Sequence, residues 1–133
     1  MRRFIVVSLL ALTTAAVAWA GNPHFISVDA TRSGNTLTVS GKEAGLGNES
    51  QVHIVITATA SCINPGDHHP RAANKVNVSA EGDFPVQNGK ALFSLTLTPA
   101  FQPECSPPMT IVFSDIVVTD ATSGISKSIP GTF

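Results

Sequence analysis

Imidazole and carboxylate are the groups that hold zinc or copper, and Asp67, His68 and His69, with His53 on the segment before them, are the one cluster of such residues in the sequence. Such an ion needs three or four ligands converging at about 2.0 to 2.3 Å. Adjacent histidines point opposite ways in a strand, but a loop allows both to turn inward. Pro65 and Pro70 bracket Asp67, His68 and His69 and mark a loop, while His53 sits on the segment before it. A metal-binding protein using the Asp67/His68/His69 loop, with His53, is therefore one function to carry forward. The plainer reading of the same residues is a solvated polar loop, and no cofactor is expected.

Other chemistries find less support. A copper-dependent oxidative enzyme acting on polysaccharide would chelate the ion with a terminal amine and two imidazoles. His24 would be fourth in the chain after cleavage behind Ala20, and Pro23 blocks the usual amide chelation. No serine stands in a G-x-S-x-G elbow, and Glu43, Glu49, Asp67, Glu81 and Asp83 fall mainly in predicted turns, where they read as solvated charge. Paired carboxylates for glycoside hydrolysis would need roughly 5 to 10 Å of separation across a cleft, which a small sandwich rarely has. The expectation is a protein that is not an enzyme.

These residues must be positioned by strands. Val52, Ile54, Ile56, Ala58 and Ala60 fall at every second position, with Val55 out of phase, which predicts a strand with one buried face from Gln51 to about Cys62. Asn64, Pro65, Gly66 and Asp67 then supply turn chemistry and open a loop that runs to Ala73. The other cysteine, Cys105, lies among Pro99, Pro103, Pro107 and Pro108. With two cysteines and an export signal, a Cys62–Cys105 disulfide is the economical reading, against free thiols or a metal pair.

The export signal is the segment MRRFIVVSLLALTTAAVAWA: Arg2 and Arg3, an apolar run from Phe4 to Leu12, and Ala18 and Ala20 at the cleavage positions. Residues 1–20 are read as a signal peptide and 21–133 as a single secreted, extracellular domain. Cleavage removes Trp19, the only tryptophan, and two of eight basic residues, leaving six against nine acidic and a net charge near −3. That balance carries no electrostatic footprint for nucleic acid or an anionic membrane, and no other stretch is apolar and long enough to span a bilayer.

Alternation predicts further strands at His24–Ala30, Thr36–Lys42, Val76–Ala80, Ala91–Leu97, Thr110–Thr119 and Ile125–Ile129, with a hairpin turn at Arg32–Asn35 and a turn at Asn88-Gly89. The apolar phase changes across Ser114-Asp115, which reads as a β-bulge. Glu81-Gly82-Asp83 ends the fourth strand in this reading, and Glu43 to Ser50 is a polar connection. About seven short strands without a helix predict an all-β fold, an immunoglobulin-like Greek-key β-sandwich, with a small β-barrel as the alternative.

Ala44-Gly45-Leu46-Gly47, the Ala58-Thr59-Ala60 strand end running into Cys62, Asn64-Pro65-Gly66, Ala73-Asn74-Lys75, Asn88-Gly89 and the proline-flanked Cys105 together form a recurring pattern. In these the chain resembles small secreted single-domain proteins of actinomycetes and filamentous fungi. The resemblance covers nearly the whole mature chain and implies export, one disulfide and a β-sandwich, with no functional residues to carry over.

The leading functional expectation is a non-catalytic module that binds an extracellular ligand, whether polysaccharide, cell wall or protein. The Cys62 to Ala73 loop would carry recognition through Asn64, Asp67, His68 and Arg71, joined by the Pro99 to Pro108 loop. Sugar-binding modules usually present tryptophan or tyrosine, and the mature chain has neither. The pairs Thr36/Thr38, Thr57/Thr59 and Thr96/Thr98 would line outward strand faces as a hydroxyl array, or simply suit exposed strand positions. Asn48 and Asn77 match the N-glycosylation sequon and are acceptors if the source is eukaryotic.

Overall fold

The computed structural model describes residues 21–64 and 74–133. Among them seven strands follow one another: β1 (His24–Ser33), β2 (Thr36–Ala44), β3 (Gln51–Ile63), β4 (Lys75–Pro85), β5 (Ala91–Leu97), β6 (Thr110–Asp120) and β7 (Ile125–Ile129). They pair into an antiparallel three-stranded sheet, β1-β2-β5, and an antiparallel four-stranded sheet, β4-β3-β6-β7. One apolar core lies between the two, so the molecule is a β-sandwich.

Side-chain alternation builds that core directly. Leu37 and Val39 from β2 and Phe93 and Leu97 from β5 face Val52, Ile54 and Ile56 from β3 and Phe113, Ile116 and Val118 from β6. Each fully buried side chain of this size contributes about 1.5 to 3 kcal/mol relative to exposure. Phe93 is the aromatic centre, with Phe25 at 6.0 Å and Phe84 at 6.2 Å in edge-to-face contact. Gly41 makes room for it, since a Cβ there would lie 2.6 Å from Phe93 Cζ and against the Ser27 carbonyl oxygen.

The expected bulge is present. The β3–β6 register slips between Thr57 and Thr59, and Asp115 takes a left-handed φ of 52°. Asn88 (φ 54°) and Gly89 (φ 73°) form a two-residue turn closed by reciprocal Gln87 and Lys90 backbone bonds of 2.8 and 3.0 Å.

Three sequence expectations need correction. β4 does not stop at Glu81-Gly82-Asp83 but continues to Pro85, because Gly82 and Phe84 keep the inward phase and β3 pairs with it throughout. β3 runs one residue past Cys62, to Ile63, since β6 continues the ladder there. Glu43 is not a solvated residue of a connection: it lies within β2 and has no exposed surface.

Candidate functional site

The end of the sandwich where β3 finishes is built around Cys62–Cys105, whose Cα atoms lie 5.8 Å apart. Cys62 belongs to β3, and Cys105 to the connection between β5 and β6, residues 98–109. Met109 Sδ packs 3.7 Å from Cys62 Sγ, a van der Waals contact because a disulfide sulfur carries no proton.

The 98–109 connection has no strand of its own, and two buried points hold it down, Phe101 and Cys105. Between and after these anchors it presents Gln102, Pro103 and Glu104, then Ser106, Pro107 and Pro108, all exposed. The proline rings restrict φ, and the buried anchors restrict where the exposed segments sit. A shallow depression of about 370 Å³ lies beside it, lined by Asn35 of the β1–β2 turn and by Thr98, Phe101, Gln102, Glu104 and Ile111 among others. Its donors and acceptors are amide, hydroxyl and carboxylate, which suits hydrogen bonding to a polar surface and leaves out aromatic stacking. Phe93, Phe101 and Phe113 are buried and Phe25, Phe84 and Phe133 pack against the core, so among the described residues no phenylalanine stands free as an aromatic platform.

Asn64 is exposed directly after β3 at this same end. Asp67, His68, His69 and Arg71 lie outside the described residues. His53 lies ten positions before Ile63 on a strand rising about 3.3 Å per residue, hence at the opposite end of β3 from Ile63 and Asn64. There its Nδ1 lies 2.8 Å from Asp83 Oδ1 and its Nε2 3.3 Å from Glu81 Oε2. Both ring nitrogens are engaged by carboxylates, and the pKa of His53 is raised above 6.5, first by the hydrogen bond to Asp83 and then by that to Glu81. Among the described residues no three His, Cys, Asp or Glu side chains converge as metal ligands.

The threonine pairs divide between the sheets. Thr38 Oγ1 meets Thr96 Oγ1 at 3.1 Å on the outer face of the three-stranded sheet, where Thr31, Thr38 and Thr96 stand in one row. Thr57 and Thr59 lie on β3 in the other sheet, and Thr98 falls beyond the end of β5. Asn48 is exposed in the connection after β2, and Asn77 is exposed on β4.

Sequence reasoning missed a second cluster at the His53 end. Glu43 and Asp120 are both fully buried, one from each sheet. Asp120 Oδ1 accepts from the backbone N–H groups of Thr122 (2.8 Å) and Ser123 (3.1 Å) and so caps the β6–β7 turn. The signal was present in the alternation: Leu37, Val39, Gly41, Glu43 is one inward row, and Ile116, Val118, Asp120 is another. Each row ends on an acid at the same end of the sandwich. No family model matches this chain, and no curated protein or solved structure is significantly similar to it.

Proposed function

We propose that this protein is a secreted, non-catalytic β-sandwich of immunoglobulin-like class that binds an extracellular surface through its disulfide-tied end. The observation that carries the reading is the 98–109 connection, fixed at Phe101 and Cys105 while Gln102 to Glu104 and Ser106 to Pro108 face solvent. A loop fastened at two buried points loses less conformational entropy on binding than a free one. Prolines that restrict the backbone and exposed amide, carboxylate and hydroxyl groups suit hydrogen bonding to an insoluble polysaccharide or cell wall. Secretion is supported by the composition of residues 1–20 and by the disulfide, a bond characteristic of oxidising compartments. The immunoglobulin-like class is supported by the strand order, with β2 to β3, β4 to β5 and β5 to β6 crossing between sheets and β4 placed beside β3.

The test is co-sedimentation of the oxidised mature protein with insoluble polysaccharides and cell walls, with and without chelator. Retention on one solid that survives chelator and is lost on combining Gln102→Ala with Glu104→Ala is the expected result. Retention on none of the solids overturns the surface-binding reading. Retention abolished by chelator would transfer the role to a metal held by the Asp67/His68/His69 segment.

A further inference from the structure

Glu43 and Asp120 are acids with no accessible surface, on opposite sheets, and their side chains are within hydrogen-bonding reach of each other. If both were ionised, Glu43 Oε1, Glu43 Oε2 and Asp120 Oδ2 would have no hydrogen-bond donor at all. Two buried like charges without partners would cost several kcal/mol, so such a pair persists only by binding a cation or keeping a proton. The groups facing Glu43 decide between these. Its ladder partners are Phe25 on β1 and Ala91 on β5, neither of them titratable. From the opposite sheet β6 offers only Asp120, and the nearby inward residues of β3 are Val52 and Ile54. Lys42 alternates outward on β2, the His53 imidazole is turned to Asp83 and Glu81, and exposed His24 has its Nδ1 2.7 Å from the Asn22 carbonyl oxygen. Among the described residues no cationic side chain pairs with either acid, and no third carboxylate or histidine completes a metal-ligand set. A proton shared between the two carboxyls gives two of those three oxygens a partner and removes one of the two charges.

We propose that Glu43 and Asp120 hold one proton between the two sheets as a lock, which keeps the end of the sandwich opposite the disulfide closed in acid and neutral solution and releases it in alkali. The protonated Glu43 carboxyl donates to Asp120, whose other oxygen caps Thr122 and Ser123. The β6–β7 turn is in turn fastened to β3, as Thr122 Oγ1 accepts from the His53 N–H at 2.9 Å and the Ala121 N–H donates to the His53 carbonyl at 2.9 Å. Losing the proton therefore places two charges in the core and strains the element that joins β2, β3 and β6. The disulfide end has a covalent tie that does not titrate in this way. The sandwich thus has one covalent end and one protonic end.

Burial, reinforced by the hydrogen bond to Asp120 and by its charge, pushes the Glu43 carboxyl up to about 8 from an ordinary 4.5. Below 4.5 the group is protonated in both folded and unfolded chains and contributes no pH dependence. Between 4.5 and about 8 the unfolded chain gives up a proton that the folded chain keeps, so stability falls as pH rises. Across that window the unfolding equilibrium constant increases by up to about tenfold per pH unit.

Chemical unfolding of the wild type, Glu43→Gln and Asp120→Asn between pH 5 and pH 9 tests the lock. Wild-type stability should decline across the range, whereas Glu43→Gln, which mimics the protonated acid, should be nearly flat. A flat wild type, or a glutamine variant with the wild-type slope, overturns the proposal. Should the variants not fold, the wild type alone decides it. Its Glu43 carboxyl carbon, followed by NMR, should titrate near 8, and the Thr122 and Ser123 amides should lose exchange protection in alkali before those of β6 beside Cys62. A Glu43 carboxyl titrating between 4 and 5 overturns the lock.

Discussion

His53 and Asp83 face each other directly across the β3–β4 ladder, with Nδ1 and Oδ1 2.8 Å apart, and Glu81 two residues away on the same outer face takes the other ring nitrogen at 3.3 Å. His53, which its chemistry suggests as a metal ligand, has both ring nitrogens beside surface carboxylates, and the hydrogen bonds to them raise its pKa above 6.5. When protonated, the ring donates to both carboxylates and has no lone pair for a metal.

The first prediction follows from that geometry. NMR titration of the His53 ring should show a pKa above the ordinary 6.5, and Asp83→Asn should lower it more than Glu81→Gln, because the Asp83 bond is the larger cause. A folded pKa raised in this way gives stability that is present below 6.5 and fades as pH rises through the raised value. The contribution is small, since the three side chains are 37%, 67% and 55% exposed. An unshifted His53 would show that the pair does not persist in solution.

Reduction of Cys62–Cys105, or its replacement by a pair of alanines, should lower stability by up to about 4 kcal/mol in the chain-entropy model. The residues are 43 apart in sequence, and their bond restrains the unfolded chain as well as anchoring the 98–109 connection. Denaturant unfolding with and without reductant measures this, and equal midpoints would contradict it.

Gly41→Ala should cost about 1 to 3 kcal/mol, because the new methyl meets Phe93 Cζ and the Ser27 carbonyl in a strand that cannot move without shifting the aromatic centre. Its outward neighbour Ser40→Ala should stay within about 0.5 kcal/mol. The difference between the two unfolding midpoints is the check.

Phe113→Ala should be among the most costly single changes, about 3 to 5 kcal/mol, since the side chain is fully buried. The Phe113 backbone also exchanges two hydrogen bonds with Phe133, at 2.8 and 2.9 Å, which fastens the last residue to β6. Thermal unfolding of the variant reads the loss, and a midpoint near that of the wild type would argue against this packing.

The strands themselves were legible in the sequence, because a half-buried strand must alternate and a turn of positive φ favours Asn-Gly. Val52 to Ala60, the slip across Ser114-Asp115 and the Asn88-Gly89 turn each reported local geometry through local residue types. Two cysteines allowed one intramolecular pairing, and that pairing is present.

Tertiary structure alone decided which strands share a sheet, and with it every relation between distant residues. The sequence by itself placed His53 before the histidine-bearing loop, but strand length put it at the far end of β3. It also presented Glu43 as a charge in a polar stretch. The second sheet turned that residue into part of the core, by laying the inward row that ends at Asp120 over the inward row that ends at Glu43. The physical reason is that alternation specifies a face and not what covers it, so the environment of an acid at the end of an inward row is set by a strand distant in sequence, here β6 over Glu43.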